Sequence, residues 1–309
     1  MTKKPRIEVA KLGSFTGHKD CIYTVERGTQ SGEFFSGGSD GLVARWNLQN
    51  PDEGDLAAKI PNTVYALRYV PEQHILLAGQ NFSGMHVIDC NAWKETTSIK
   101  LSSQAIFDIK HQDKVAFVSS GEGVVQAVAL EDPLRVLWKQ QASTESARCL
   151  AIHPSRPELA VGYSDNHIRI LDMQTGEVKQ TIEAHSNSVF TVVYTPDGKH
   201  LLSGSRDAYL RIWDTGEEGY SFHAEIVAHL FTLNHIAFRA DGKYFATCSK
   251  DKSIKLWETE NFRLRKVIDK SRYAGHGTSV NKLLWVGPNR LLSGSDDRSV
   301  AAWGVSFAD

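Results

Sequence analysis

Four sets of side chains in this 309-residue chain carry the ingredients of nucleophilic catalysis. They are His18, Ser36 and Asp40; His185, Ser203 and Asp207; His229, Thr247 and Asp251; and His276, Ser293 and Asp297. In such a set a carboxylate orients an imidazole, and the imidazole takes the proton of an attacking hydroxyl. Gly37-Gly38-Ser39-Asp40-Gly41 also matches the G-x-S-x-G pattern of a nucleophile elbow.

The spacing argues for a different role. The hydroxyl-to-Asp gap is four residues every time, and a Trp follows the Asp by six: Trp46, Trp213, Trp257 and Trp303. The His-to-hydroxyl gap is 18 in three sets and 17 in the last. A catalytic site is needed once. A constellation repeated four times at fixed positions reads as structure, a polar network that pins each unit. The Asp carboxylate accepts from the imidazole and from backbone N–H groups of its turn, and the hydroxyl reaches the indole N–H. The elbow pattern needs a strand, a turn and a helix, whereas here it lies in a turn between two strands.

The elements behind these residues repeat as well. The anchors Trp46, Ile88, Ala129, Leu171, Trp213, Trp257 and Trp303 are separated by 42, 41, 42, 42, 44 and 46 residues. The clearest unit begins at Ala184-His185. It continues through a strand from Ser188 to Tyr194, a turn at Pro196-Asp197-Gly198, and a strand from His200 to Ser205. A third strand, Leu210 to Asp214, and a fourth, Phe222 to Val227, complete it. Seven such units of four short antiparallel strands describe an all-β, seven-bladed propeller in one domain, residues 1–309. In the second to fourth units the network positions read Ala78, Phe82, Ile88; Ser119, Gly123, Ala129; and Val161, Asp165, Leu171, so most polar partners are replaced by apolar ones.

The last Trp lies six residues from the final residue, which leaves that unit three strands. The alternating run Ile7 to Leu12 has no other use, and it is expected to be the outer strand of the seventh blade, closing the ring.

Composition narrows the classes. Charged residues make up 23% and the net charge is −1, which argues against a general nucleic-acid binder. The four cysteines, Cys21, Cys90, Cys149 and Cys248, form no C-x-x-C pair, so neither a zinc site nor a disulfide framework is expected; free thiols point to a reducing, cytoplasmic-type compartment. No apolar stretch follows the basic first residues, and no run of about 18 apolar residues occurs, so neither a signal peptide nor a membrane span is expected. Phosphate-loop and H-E-x-x-H patterns are missing, and no cofactor or metal is expected. The segment from Glu260 to Arg272 reads as an outer strand with a longer connection.

The residues resemble the WD-repeat family, the Trp-Asp β-propellers, over nearly the whole chain. Gly17-His18 and Gly275-His276 match the family's Gly-His, with Ala184-His185 and Ala228-His229 as variants, and Trp213-Asp214 matches its Trp-Asp. The resemblance implies the Trp–Ser/Thr–His–Asp hydrogen-bond network in each complete blade. It also implies a partner face, reached through two register positions. The first lies five residues after the Gly-His histidine: Tyr23, Tyr65, Phe107, Arg148, Phe190, Asn234 and Asn281. The second precedes the turn Asp: Ser39, Asn81, Glu122, Ser164, Arg206, Lys250 and Asp296. Aromatic and Arg side chains are the ones enriched at binding hot spots. The candidate partner-binding residues are therefore Tyr23, Tyr65, Phe107, Arg148, Phe190, Arg206 and Lys250. For Phe107 and Phe190, plugging the channel mouth is an equal alternative.

Three functions follow as expectations. The first is a non-enzymatic scaffold that binds a protein or peptide segment, as a monomeric ring or as one subunit of a larger complex. The second is a substrate receptor for acidic or phosphorylated ligands, or for nucleic acid, through the basic sector of Arg148, Arg206 and Lys250. The third is a propeller hydrolase, which would need acidic or His residues converging on the axis; the inner-strand set holds none.

Overall fold

The computed structural model describes residues 6–308 and is almost entirely strand. Its 28 strands form seven four-stranded antiparallel sheets, the blades of one ring. Inner strands of neighbouring blades pack against one another all the way round, and the first blade's meets the seventh's. These inner strands are Ile22–Arg27, Val64–Val70, Ile106–Gln112, Ala147–Ile152, Val189–Tyr194, Leu233–Phe238 and Val280–Trp285.

Each blade is covered by a neighbour on both faces, so its middle strands are buried on both sides and read as unbroken apolar runs. Phe34-Phe35, Leu76-Leu77-Ala78 and Leu201-Leu202 are all fully buried. Outer strands face solvent and carry charge, as Lys94–Lys100 does. Blades approach so closely that a Cβ on Gly204 would lie 2.4 Å from Leu233 of the next blade. Glycine is the residue that fits there.

The seventh blade is closed as expected. Arg6–Thr16 runs antiparallel to Ser299–Ala308, with Ile7 opposite Phe307 and Phe15 opposite Val300. Ile7 and Phe15 are buried in this seam. The strand is longer than the run from Ile7 to Leu12, because it continues past a bulge at Leu12. In the fifth blade, His200–Ser205 is a strand as expected, and the outer strand, Gly219–Val227, begins three residues before Phe222. The Glu260-to-Arg272 region holds the outer strand Arg263–Ile268 and a short helix, Lys270–Tyr273, capped by Asp269.

One register is corrected. In blade 3, Ile106 pairs with Ser120 where blade 1 pairs Ile22 with Gly38. The equivalents of Ser36, Asp40 and Trp46 are therefore Val118, Glu122 and Val128, each one residue before the position counted along the chain. Asp113-Lys114 is a tight two-residue connection between the first two strands, so the later strands begin earlier than a fixed period places them. Glu122 is thus the turn acid itself, and Gly121 precedes it.

All four cysteines are free thiols. Burial pushes Cys90 and Cys149 up to about 12, so both stay protonated.

Candidate functional site

The four repeated constellations form the same buried chain of hydrogen bonds. In blade 5, Trp213 Nε1 donates to Ser203 Oγ at 3.0 Å, Ser203 Oγ lies 2.8 Å from His185 Nε2, and His185 Nδ1 lies 3.0 Å from Asp207. Blades 1, 6 and 7 repeat it through Ser36, Thr247 and Ser293, with hydroxyl-to-imidazole distances of 2.7, 2.8 and 2.7 Å. One proton arrangement satisfies every group. The indole N–H donates to the hydroxyl, the hydroxyl to Nε2 of a neutral imidazole, and Nδ1–H to the carboxylate. Burial favours that neutral form, holding His185 and His229 below the ordinary imidazole value. Burial alone would raise the Asp207 carboxyl. The hydrogen bond from His185 and the backbone N–H groups of Tyr209 and Ser186 outweigh it, so the carboxyl sits well below the usual range. Ser36, Ser203 and Ser293 are fully buried, out of reach of any substrate. Gly37–Gly41 is a strand–turn–strand segment in which Ser39 N–H donates to Cys21 O.

Blades 2 to 4 replace the buried part of this chain as a set. Ala78 with Ile88, Val118 with Val128, and Val161 with Leu171 stand where a hydroxyl and an indole stand elsewhere. The turn acid survives in two of these blades. Glu122 accepts from Ser103 N at 2.9 Å, and Asp165 accepts from Ser143 Oγ at 2.7 Å and from both terminal nitrogens of Arg169. Ser143 occupies the histidine's place.

The second constellation opens onto the ring axis. Every inner strand carries a β-bulge near its start, and the skipped residue is the same in all seven blades: Tyr23, Tyr65, Phe107, Arg148, Phe190, Asn234 and Asn281. A bulge re-aims the side chain it displaces. Here all seven line one cavity of about 220 Å³ at the channel mouth. Five of them form a continuous arc. The ring centroids of Tyr23 and Tyr65 are 4.8 Å apart, and those of Tyr65 and Phe107 are 5.4 Å apart. The Arg148 guanidinium then lies 4.8 Å from both the Phe107 and Phe190 rings. Its Nε donates to Ser164 Oγ at 2.7 Å, and burial holds the guanidinium below its ordinary value. Burial, helped by Cys21 and Tyr65, pushes Tyr23 up to about 12. Asn281 closes the circle, donating to Ile22 O at 2.9 Å and to Asp296 at 2.7 Å.

Arg206 and Lys250 stand exposed on the rim of blades 5 and 6. The structure thus joins Arg148 to the aromatic arc, with the two other cations outside it. Three charged or polar residues escaped the sequence reading. Asp108, His235 and Lys282 follow the bulge residues on their strands and line the same cavity. The signal was present: this position reads Thr24, Ala66, Asp108, Cys149, Thr191, His235 and Lys282, three large polar groups among smaller side chains. They put an acid and a histidine near the axis, where none was expected. The Asp108 carboxylate is occupied, by Lys110 Nζ at 3.1 Å and by the N–H groups of Ile109 and Leu150. Burial, with Lys282 and Lys110 nearby, keeps His235 well below the ordinary imidazole value, so it is neutral.

Among the described residues, no helix is long and apolar enough to cross a membrane.

The family model for the WD domain, G-beta repeat (WD40), matches residues 10–47, 133–172, 176–214, 221–258 and 269–304, more than half of the chain. The stretch between the first two matched segments, residues 48–132, holds all of blade 2 and the three inner strands of blade 3, where the buried network is missing. Striatin of Mus musculus is 25% identical over 235 residues, covering 69% of this chain and 30% of that protein. Human striatin-3 is 24% identical over 253 residues, covering 74% and 31%. The 66 kDa stress protein of Physarum polycephalum is 22% identical over 305 residues, covering 94% and 47%. The chain therefore spans about a third to a half of the length of these relatives. A solved structure of the WD40 β-propeller domain of Doa1 superposes with a TM-score of 0.84 at 17% identity, over 96% of this chain and 97% of that one, a likeness of fold. Such propellers are typically non-enzymatic, and a protein-interaction scaffold is the general role that these similarities support.

Proposed function

We propose that this chain, which belongs to the WD40 family, is a non-enzymatic scaffold whose channel mouth binds an extended peptide or protein segment. One observation carries the reading: five bulge-displaced side chains stack into an unbroken arc around a cavity of about 220 Å³. A stacked arc is rigid, so little side-chain entropy is lost when an apolar group settles on it. Tyr23 and Tyr65 add hydroxyl groups to an apolar surface, a combination suited to binding. Arg148 is pre-aimed by Ser164 and its two flanking rings. Beyond it, exposed Arg206 and Lys250 suit an acidic or phosphorylated end of the ligand. Residues 1–309 act in this reading as one propeller domain, in a reducing intracellular compartment suited to its four free thiols.

The test is affinity capture from a lysate with the wild type and with a variant carrying Tyr65→Ala, Phe107→Ala and Arg148→Ala. Partners held by the wild type should be lost from the variant, with little change in melting temperature. Full retention of every partner would overturn the proposal. Arg206→Glu with Lys250→Glu should weaken acidic ligands selectively. A steep loss of binding with salt, together with recovered nucleic acid, would instead favour a nucleic-acid receptor.

A further inference from the structure

At the opposite end of blade 5 from Phe190, three side chains converge that neither the ring nor the channel uses. His200 opens the second strand, and Asp214 lies directly across from it on the third. His223 is the residue skipped by a bulge in the outer strand, between Phe222 and Ala224. The bulge turns its imidazole toward the same carboxylate. Asp214 Oδ1 is 3.0 Å from His200 Nδ1 and 3.1 Å from His223 Nδ1, and one donor atom from each residue lies within 4.8 Å of the others. The two imidazole rings are 5.1 Å apart, and Phe262 of blade 6 packs edge-on against both, at 5.5 and 6.0 Å.

We propose that His200, Asp214 and His223 form a binding site for a divalent transition metal of the zinc type. Two neutral imidazoles and one carboxylate are a common zinc donor set, and their single negative charge suits a divalent cation. Bonds of about 2.0–2.1 Å in a tetrahedral site place neighbouring donor atoms about 3.3 Å apart. Two of the three edges are already close to that length. His200 Nδ1 supplies an independent observation. It is buried and makes no hydrogen bond, although a carboxylate oxygen stands 3.0 Å away. A nitrogen lone pair in that position is satisfied by a cation shared with Asp214. The Phe262 ring shields one side from water, while His223 and Asp214 stay partly exposed, leaving a path of entry and a fourth position for water or a ligand.

Titration of the full chain, first stripped with a chelator, with zinc chloride and separately with cobalt(II) tests this. The wild type should take up one equivalent of zinc, gain melting temperature with it, and give the visible absorption of four-coordinate cobalt. Asp214→Asn and His223→Ala should each weaken zinc binding at least tenfold and abolish both the thermal shift and the cobalt band. His167→Gln, on blade 4, should change none of these. His223 is 41% exposed, so its removal leaves the fold intact, and melting curves without metal verify that for each variant. If the wild type takes up no stoichiometric zinc, or if the two site variants bind it as tightly as the wild type, the cluster is only a carboxylate flanked by two imidazoles and the proposal fails.

Discussion

Blades 5, 6, 7 and 1 hold themselves together differently from blades 2, 3 and 4. The first four are consecutive around the closed ring, and each contains the buried Trp–hydroxyl–His–Asp chain. The other three are also consecutive, and packing has taken over. The difference lies in what was exchanged together. Removing a single member of a buried polar chain leaves its neighbours without partners, at a cost of about 1–3 kcal/mol for each. Removing hydroxyl and indole at once leaves no orphans, and Ala78 with Ile88 or Val161 with Leu171 shows that pairwise exchange. The turn acid faces water at one edge and can find new donors. Glu122 and Asp165 accordingly persist with Ser103, Ser143 and Arg169 as partners. The network therefore has two separable parts, a buried one kept or lost as a unit and a turn part that adapts. The networked sector also contains the seam where the ring closes, while the aromatic arc runs across the packed sector, from blade 1 to blade 5.

The largest test of this contrast strikes the seam. Deleting residues 1–12 removes buried Ile7 and most of the pairing with Ser299–Ala308. A loss of about 5 kcal/mol is expected, seen as a drop of roughly 10 °C in a thermal melt. An unchanged curve would mean that the networks alone hold blade 7. A smaller test compares two serines. Ser203→Ala orphans the Trp213 indole and His185 and should cost about 3 kcal/mol in urea unfolding. Ser119→Ala in blade 3 removes only a long bond, 3.4 Å to Asp108 O, and should cost less than about 1 kcal/mol. Equal costs would break the contrast between the two sectors.

Acidification gives the gentlest test. Burial holds His185 and His229 below the ordinary imidazole value of 6.5 in the folded state, so the unfolded chain takes up protons first as the pH falls. Their stabilisation is complete above that value and declines as pH drops below it, by at most about 1.4 kcal/mol per pH unit for each histidine. The depressed carboxyls of Asp207, Asp251 and Asp297 act further down, their contribution fading as pH falls below the ordinary carboxylate range. Hydrogen exchange followed by mass spectrometry at pH 7 and pH 5 should show blades 5 and 6 losing protection while blade 2 changes little. Equal softening of blade 2 would separate the effect from these histidines.

Much of this was legible in the sequence because it is periodic. The blade count, the four networks and the closing strand follow from residues that recur or are left over, such as Ile7 before the first Gly-His. Counting along the chain failed where a connection changes length, so the blade 3 positions fell at Ser119 and Ala129 in place of Val118 and Val128. The bulge positions were legible as a list, but their stacking was not, because contact between Phe107, Arg148 and Phe190 depends on blade-to-blade geometry. Asp108, His235 and Lys282 sit one residue beyond the repeated position, and only the bulge, by turning its own residue aside, brings the following one to the same cavity. His200, Asp214 and His223 carry no readable spacing at all. Strand register brings the first two together, and a bulge adds the third.

The seam between Arg6–Thr16 and Ser299–Ala308 also has a consequence in time. Of all the strands in the ring, the one translated first pairs with the one translated last. Until the strand Ser299–Ala308 has been made, the first strand is without its partner, while six blades can form behind it from neighbours in the chain. Its sequence is suited to the wait: Arg6, Glu8 and Lys11 interrupt Ile7, Val9 and Phe15, and charge on an open edge discourages pairing with a stranger. The outer edge of the seventh blade is thus the one place in the ring where pairing must wait for both ends of the propeller.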